Sequence, residues 1–346
     1  MDMIKKIIKY GLISTAQIGL NAHIPAARES KNSSIVSISS RESKKAEEAA
    51  KKYNIERWYS SYSEQINDPD IDAVINPLPN SMHSEWTIKS AEAGKHILCE
   101  KPLSTTVEEC KKMIDAAKAN NVLLVEAFTH RWNPHLRKAK ELISKGTIGK
   151  ISTIDSSLSF SAADTVYQKM DILGRPQSNI RFLRDLDGGS LWDAGCYAVY
   201  ATRFVMGEEP VLVSGLSNDS GGWGIDTTFS GIMKFKDGAI ANIISSMEQP
   251  FRSYISIRGS KGRIDIPEMF NDSGPIIIEM GDGRSGRDEK IISTTAPYRF
   301  TVQINEFSEC ILANKIPEFP PEDGLLNTKV IQALYESVKL GKIIEI

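Results

Sequence analysis

Residues 7–19 read IIKYGLISTAQIG, an apolar run that leads into small residues and ends at Gly19. A strand, a tight turn and a helix N-terminus in this order are typical of a dinucleotide site, because the first N–H groups of the helix point at the pyrophosphate. Compared with the fingerprint G-x-G-x-x-G, the stretch has Ser14 and Ala16 where glycines are usual and keeps Gly19. An ordinary strand-to-helix turn is the alternative. The predicted cofactor-binding turn comprises Ser14, Thr15, Ala16, Gln17 and Ile18.

The segments around and after this turn alternate between short apolar runs and longer amphipathic stretches. Such an alternation predicts a parallel sheet with helices on both faces. We therefore expect an α/β protein in which residues 1–150 form a doubly wound Rossmann domain that binds NAD(P). The predicted strands are 7–13, 35–39, 73–76, 96–99 and 122–126, and the predicted helices are 22–29, 44–53, 81–93 and 107–119.

Beyond residue 150 the pattern changes, because β-type runs follow one another with few helices between them. Consecutive strands joined by turns indicate an open, mostly antiparallel sheet, so residues 151–346 are expected to form a second α/β domain. The final helix could pack back on the first domain. The predicted strands are 151–160, 211–217, 227–235, 239–246, 253–258 and 276–280, with helices at 190–206, 301–313 and 325–340 and an exposed loop at 281–288.

The end of the second predicted strand carries positive charge. An NAD enzyme usually has an acidic residue there for the ribose 2′-hydroxyl, whereas this chain has Ser40 and Arg41, followed by Lys45. A hydroxyl and a guanidinium bind a 2′-phosphate through charge-assisted hydrogen bonds, and a carboxylate would repel it. The residues favour NADP over NAD, with a solvated surface position for Arg41 as the alternative.

The composition excludes several classes of protein. The 346 residues include 42 Lys and Arg against 44 Asp and Glu, a net charge of −2, so no broad basic surface for nucleic acid is expected. No apolar run approaches the ~20 residues that span a bilayer. The four cysteines are widely separated, and the histidines lack metal-ligand spacing, so we expect neither a metal site nor disulfides and a cytoplasmic location.

Three further stretches carry a resemblance to a known family: HILCEKP at residues 96–102, EAFTHRWNP at 126–134 and GGSLWDAGCY at 188–197. Together with the closing PPED at 320–323, they resemble the Gfo/Idh/MocA oxidoreductases, in particular the branch with dimeric dihydrodiol dehydrogenase, NADP-dependent D-xylose dehydrogenase and glucose–fructose oxidoreductase. The resemblance implies a Rossmann domain and a substrate domain whose open sheet forms a homodimer or higher homo-oligomer. It also implies catalytic roles for Lys101 and Tyr197.

This pair has a chemical rationale. Removing a hydride from an alcohol carbon leaves a hydroxyl proton, and a tyrosine with a pKa near ~10 is a poor base at neutral pH. A neighbouring ammonium such as that of Lys101 favours the phenolate of Tyr197. Asp193 precedes Tyr197 by one helical turn and could bind a sugar hydroxyl or orient Lys101. Tyr200 is the rival tyrosine, and a purely structural role for Tyr197 is the alternative.

Residues near the predicted strand ends complete the site, since ligands of open α/β sheets bind there. For His83 the alternative is a structural role at a helix start. His130 and Arg131, which follow the fifth strand, could equally pack in the core. The further cofactor candidates are Pro77, Leu78, Asn80, His83, Glu100 and Lys101, and the substrate candidates are His130, Arg131, Trp192 and Asp193.

The sequence therefore predicts an NADP-dependent oxidoreductase that acts on a sugar hydroxyl, most plainly an aldose 1-dehydrogenase of the D-xylose type. One alternative is an NADPH-dependent reductase of a keto-sugar or diketone, such as 1,5-anhydrofructose or a 3-keto sugar, because the same Lys–Tyr pair serves either direction. A non-catalytic sensor of NAD(P) is an alternative of another class, which the presence of both Lys101 and Tyr197 disfavours.

Overall fold

The computed structural model describes residues 7–162, 179–281 and 288–346. The chain forms two compact units, one of Met1–Thr129 with Pro297–Leu325 and one of His130–Ala296 with Leu326–Ile346. The division after Thr129 precedes the change of pattern at residue 150. Residues 282–287 of the expected loop lie outside the described residues.

The first unit contains a six-stranded parallel sheet in the order β3-β2-β1-β4-β5-β6. This order is that of the doubly wound dinucleotide-binding fold, and it reverses direction between β1 and β4, where such sheets bind ligands at the carboxyl ends of their strands. The predicted Rossmann architecture is confirmed. The strands are β1 Ile8–Leu12, β2 Ser33–Ser39, β3 Arg57–Tyr59, β4 Ala73–Asn76, β5 His96–Glu100 and β6 Leu124–Ala127.

Helices connect these strands as the alternating pattern requires. The helix α5 begins where the sequence predicts, because the Thr106 side chain accepts a hydrogen bond from the Glu109 N–H at 3.2 Å and so caps the first turn. The short α3, like β3, was not predicted. The helices are α1 Ile24–Glu29, α2 Ser43–Lys52, α3 Tyr62–Ile66, α4 His83–Glu92 and α5 Val107–Ala119, and a π-helical turn, Gly19–His23, precedes α1.

The second unit contains a nine-stranded sheet in the order β14-β13-β12-β11-β7-β10-β9-β8-β15. Strands β7 and β10 pair in parallel and the other neighbours are antiparallel, which confirms the mostly antiparallel sheet. The strands are β7 Ile151–Ser161, β8 Pro210–Asn218, β9 Thr228–Phe235, β10 Ile240–Ser246, β11 Glu248–Gly259, β12 Gly262–Ile266, β13 Ser273–Met280, β14 Asp288–Thr295 and β15 Ile344–Glu345, and the helices are α6 Pro134–Ser144 and α7 Cys196–Met206.

The two faces of this sheet differ in character. Along β9 and β10 buried residues such as Met233 and Ile243 alternate with exposed ones such as Ile232 and Ile244. This period of two means that one face belongs to the core and the other is open to solvent. The open face carries apolar side chains.

Two further helices close the chain. Helix α8, Arg299–Ala313, packs in the core of the first unit, where Phe307 lies near Tyr10 and the Tyr10 hydroxyl lies 2.8 Å from Ser308 Oγ. Helix α9, Pro321–Leu340, belongs mainly to the second unit from Leu326 onward. Helix α8 therefore packs on the Rossmann sheet, and Leu325 near the start of α9 packs against the core of the same unit.

Candidate active site

The turn after β1 has the geometry that a pyrophosphate needs. Ser14 adopts φ of 72°, a conformation usual for glycine, and its Oγ accepts a hydrogen bond from the Ala16 N–H at 3.2 Å. A Cβ atom on Gly19 would lie 2.9 Å from Leu12 Cδ1, so any larger residue there would have to displace the Leu12 side chain. Gln17 and Ile18 are exposed, and Thr15 and Ala16 are partly exposed. The turn fits a dinucleotide despite its two substituted glycines.

The basic residues that follow β2 differ in their ion-pair partners. Lys45 forms an ion pair with Glu42 at 2.6 Å, which partly compensates its charge. Arg41 is exposed, lies close enough to Tyr62 to lower the pKa that burial of this tyrosine raises, and has no carboxylate partner among the described residues. Ser40 is buried and its Oγ accepts from the Glu42 N–H at 3.2 Å. Arg41 is the cation of this strand end that remains available to an anion.

A buried contact between a histidine and a carboxylate fixes the end of β5. The His23 Nε2 atom lies 2.7 Å from Glu100 Oε1, and the two side chains are 1% and 9% exposed. Glu100 Oε2 also accepts the Lys101 N–H at 3.2 Å, and the Lys101–Pro102 peptide bond is cis. His23 was not identified as a site residue from the sequence. Its position one helical turn after Gly19, on the helix that follows the phosphate-binding turn, could have identified it.

The loop after β4 is held by His83, whose ring nitrogens both lie 2.8 Å from backbone carbonyl oxygens, those of Pro102 and Leu78. Burial lowers the pKa of His83, so its neutral form is favoured. These contacts support the structural alternative for His83. Pro77 and Leu78 are buried beside it, and Asn80 is partly exposed.

Glu126 is a second buried carboxylate behind the Lys101 loop. It is 1% exposed, and its Oε1 accepts the Leu103 N–H at 2.7 Å. A carboxylate that accepts a backbone N–H forms a charge-assisted hydrogen bond. Glu126 therefore fixes the backbone two residues beyond Lys101, a role that the stretch at 126–134 did not reveal.

In the second unit, Tyr197 lies at the start of α7 within an aromatic cluster. Its ring centroid is 5.0 Å from that of His130 and 5.1 Å from that of Phe270, both in edge-to-face contact. The rival Tyr200 instead stacks on Phe204 at 5.6 Å, and its ring centroid lies 5.7 Å from the guanidinium carbon of the fully buried Arg131. The structure thus brings His130 next to Tyr197 and Arg131 next to Tyr200.

Asp193 has a partner that the sequence did not suggest. Arg181 Nε donates a hydrogen bond to Asp193 Oδ2 at 2.6 Å. Asp193 lies in a π-helical turn, Leu191–Gly195, that leads directly into α7. Its negative charge raises the pKa of Arg181, and Tyr197 contributes in the same direction. The three side chains therefore form one electrostatic cluster.

Trp192 lines a cavity of about 360 Å³ together with Asp226 and Tyr335. Its ring centroid lies 5.6 Å from that of Tyr335, whose hydroxyl donates to Asp226 at 2.5 Å. Asp226 also accepts from the Ser190 hydroxyl and the Leu191 N–H, so it caps the π-helical turn. Trp192 thus lies with residues that anchor the helix start.

Within the described residues, 7–162, 179–281 and 288–346, no group of three or more His, Cys, Asp or Glu side chains could hold a metal ion. The helices described there are all too short or too polar to cross a bilayer.

Comparisons with known proteins identify the family of the chain. A family model described as an oxidoreductase family with an NAD-binding Rossmann fold matches residues 8–128, and a Gfo/Idh/MocA C-terminal domain model matches residues 136–265. The chain is 31% identical to a D-xylose 1-dehydrogenase (NADP+) of Haloferax volcanii over 97% of its length and 99% of that protein. It is also 31% identical to a dTDP-3,4-didehydro-2,6-dideoxy-α-D-glucose 3-reductase of Saccharopolyspora spinosa, over 77% of this chain and 76% of that protein.

Among solved structures, the aldose-aldose oxidoreductase of Caulobacter crescentus, determined with glycerol, superposes with a TM-score of 0.86 at 26% identity. The match covers 99% of this chain and all of the other. The predicted family is thereby confirmed. This chain belongs to the Gfo/Idh/MocA family of oxidoreductases, with an N-terminal NAD(P)-binding Rossmann fold.

Proposed function

We propose that the protein oxidises an aldose at C1 with NADP, D-xylose being the substrate type, and that Lys101 and Tyr197 carry the proton transfer. The first unit would bind the cofactor and the second unit the sugar. The observation that carries the proposal is the cluster of Tyr197, Asp193 and Arg181 at the start of α7. Similarity over nearly the whole chain to an NADP-dependent D-xylose 1-dehydrogenase supports the choice of substrate.

In this proposal Tyr197 accepts the proton of the C1 hydroxyl as the C1–H bond breaks. The nicotinamide, when bound, supplies the acceptor for the hydride. The ammonium of Lys101 stabilises the phenolate form of Tyr197, which an isolated tyrosine reaches only near pH ~10. The aromatic ring of Phe270 packs edge-to-face against the phenol ring. In the opposite direction Tyr197 returns the proton to the alkoxide oxygen.

The preference for NADP over NAD is part of the proposal and depends on Arg41. An exposed guanidinium without a carboxylate partner among the described residues can form charge-assisted hydrogen bonds with a 2′-phosphate. Ser40 adds a hydroxyl at the same strand end. Lys45, already paired with Glu42, would contribute long-range attraction.

A reductase of a keto-sugar is the second candidate. The 31% identity to a 3-ketoreductase of a dTDP-linked sugar favours it, although that match covers 77% of this chain. The same Tyr197 and Lys101 would protonate the developing alkoxide, so the residues named above do not separate the two directions.

We also propose that the protein forms a homodimer or higher homo-oligomer through the open face of the nine-stranded sheet. Leu216, Ile232, Ile240 and Ile244 are exposed on strands β8, β9 and β10, which are neighbours in the sheet. Apolar side chains grouped in this way on a sheet face are typical of an interface. The oligomeric state in solution, measured by light scattering, tests this, and a monomer at micromolar concentration would contradict it.

The test of function is the absorbance of NADPH at 340 nm with a panel of aldoses and either NADP or NAD. We expect turnover with D-xylose or a related aldose, and a higher kcat/KM for NADP. Turnover only of keto-sugars with NADPH would favour the reductase. Tight cofactor binding without turnover of any sugar would favour a sensor and reject the proposal.

A further inference from the structure

A buried glutamine joins the carboxyl ends of the first two strands of the Rossmann sheet. Gln65, on the short helix α3, is fully buried, as are the residues it contacts. Its Nε2 atom donates to the Leu12 carbonyl oxygen at 3.3 Å and to Ser37 Oγ at 2.9 Å, and its Oε1 atom accepts from the Ser39 hydroxyl at 2.6 Å. Leu12 ends β1 and Ser39 ends β2. One side chain on a third element therefore fastens both strand ends.

The chemistry of the partners fixes the orientation of the Gln65 amide. A carbonyl oxygen only accepts hydrogen bonds, so the NH₂ group has to face Leu12 and the amide oxygen is left for the hydroxyl of Ser39. A Cβ atom on Gly11 would lie 3.1 Å from Gln65 Nε2, so a larger residue there would press on the amide. A buried amide that is bonded in this way holds its neighbours in one arrangement, because a displacement would leave polar groups unpaired away from water.

The backbone ladder between β1 and β2 is irregular beside this amide. The register shifts between Tyr10 and Gly11, and Val36 of β2 is skipped in the pairing. A bulge of this kind disrupts the ladder locally. The side chain of Gln65 thus adds hydrogen bonds between the strands beyond the point where their backbone pairing changes register.

The two strand ends lead directly into two parts of the cofactor site. Ser14, in the turn that fits a pyrophosphate, comes two residues after Leu12, and Arg41 comes two residues after Ser39. The pyrophosphate and the adenosine ribose belong to one molecule, so the spacing between the turn and the end of β2 has to match the distance between these groups. That spacing depends on how the ends of β1 and β2 are held together, and Gln65 contacts both.

We propose that Gln65 is a positioning residue for the cofactor. It holds the end of β2 against the end of β1, so that the turn at Ser14 and the guanidinium of Arg41 engage the pyrophosphate and the ribose 2′ group of one dinucleotide together. Because Gln65 is fully buried, it acts through the backbone. A 2′-phosphate needs directed hydrogen bonds from the guanidinium, so its binding depends on this link more than that of a 2′-hydroxyl. The difference between the two cofactors rests on the proposed NADP preference.

The test measures cofactor affinity in three variants. Gln65→Leu removes all the hydrogen bonds of the amide, and Ser39→Ala removes only the one at the end of β2. Tyr10→Phe is the matched control, because it removes a different buried hydrogen bond of the same unit, the one between the Tyr10 hydroxyl and Ser308 Oγ at 2.8 Å. The Kd values for NADPH and NADH are measured by fluorescence titration. Urea unfolding establishes that each variant is folded under the conditions of the titration.

We expect Gln65→Leu to raise the Kd for NADPH about 10-fold and the Kd for NADH by a smaller factor, since each lost hydrogen bond changes an equilibrium by about 2- to 10-fold. Ser39→Ala should raise the Kd for NADPH about threefold. Tyr10→Phe should lower the stability and leave both Kd values within about twofold of the wild type. A residue with a purely structural role would likewise change stability without changing the Kd values of the folded protein.

Kd values within about twofold of the wild type in folded Gln65→Leu and Ser39→Ala proteins would overturn the inference, as would an equal rise in Tyr10→Phe. If Gln65→Leu does not fold, Ser39→Ala decides. When the wild type prefers NADPH, an equal rise for both cofactors would also overturn it, because the 2′-phosphate is the group that the end of β2 would position.

The proposed function can fail separately. Wild-type Kd values that do not favour NADPH would reject the NADP preference, and the link between the strand ends would then stand only if Gln65→Leu raises both Kd values and Tyr10→Phe raises neither. A wild type that binds neither cofactor would overturn both proposals. The titrations need no turnover, so a protein that oxidises no aldose still decides the role of Gln65.

Discussion

Two hydrogen-bonded side-chain pairs that each contain a carboxylate, one in each unit, differ in their burial. Glu100 and His23 are 9% and 1% exposed, and both Glu100 oxygens are used, by His23 and by the Lys101 N–H. Asp193 and Arg181 are 21% and 44% exposed, and Arg181 Nε donates to Asp193 Oδ2 at 2.6 Å. The first pair is buried, whereas the second pair is partly exposed to solvent.

The different burial of the two pairs predicts different effects of mutation. Removing one partner of a buried pair leaves an uncompensated charge and destabilises the fold. Removing one partner of a half-exposed pair costs little stability, because water replaces the lost contact. Changes near Glu100 should therefore affect folding and cofactor geometry, and changes near Asp193 should affect substrate kinetics.

The largest expected effect is that of Tyr197→Phe, in the helix that follows Asp193. The variant removes only the hydroxyl, so kcat should fall about 10²- to 10⁴-fold, the usual contribution of a positioned acid or base. The melting temperature and the Kd for NADPH should stay close to those of the wild type. Steady-state kinetics together with NADPH fluorescence titration make the measurement. Normal turnover would show that Tyr197 is a core aromatic residue.

His23→Leu should have the largest effect on stability. It leaves a buried Glu100 oxygen without its hydrogen-bond partner, and such a loss costs about 1–3 kcal/mol. Urea unfolding measures this change. His23→Gln is the matched control, because an amide can still donate to Glu100, and it should cost clearly less. Arg181→Met, which removes the partner of the partly exposed Asp193, should lower the free energy of unfolding by less than about 1 kcal/mol. Similar losses for both pairs would contradict the comparison.

Arg41→Ala should have a smaller effect than Tyr197→Phe, and the effect should concern the choice between NADP and NAD. Losing charge-assisted hydrogen bonds to a 2′-phosphate is expected to raise the KM for NADP about 10- to 100-fold. The KM for NAD should change little, because NAD has a hydroxyl at that position. Lys51→Ala is the control, since Lys51 lies further along α2 and is paired with Glu47. An equal effect of Arg41→Ala on both cofactors would reject the 2′-phosphate role.

The smallest expected effect concerns pH and stability. Burial lowers the pKa of His83, His96 and His135 in the folded protein. The unfolded chain takes up protons near the ordinary pKa of ~6.5, whereas the folded protein resists protonation until lower pH. Stability should therefore fall as pH drops below about 6.5. His96→Gln should lower the slope of unfolding free energy against pH, and an unchanged slope would contradict the assignment.

Much of the fold could be predicted because the first unit repeats a simple pattern. Strand β4 and helix α5 have the predicted bounds, since each is apolar or amphipathic along its whole length. Strand β3 has three residues and helix α3 five, too few for a period to be visible. Helix α6 did carry a signal that the prediction overlooked, because Asn133 caps it and Pro134 occupies its first turn.

The site was less accessible to sequence reasoning than the fold. Lys101, Tyr197 and Asp193 were identified because they lie in stretches that resemble a family. The partners of Asp193 and Glu100 were not, since Arg181 lies twelve residues from Asp193 and His23 lies on another element from Glu100. Side chains that meet through tertiary packing leave no periodic trace. The Gly188–Gly189 pair was the available clue to a close backbone approach at Arg181.

The central claim is hydride transfer from C1 of a sugar to the cofactor, and an isotope experiment tests it most directly. The protein is incubated with NADP and D-xylose that carries deuterium at C1, and the NADPH formed is analysed by NMR. The account predicts deuterium at C4 of the nicotinamide ring and a slower reaction than with unlabelled sugar. NADPH without deuterium, or no NADPH from D-xylose or any related aldose, would contradict it.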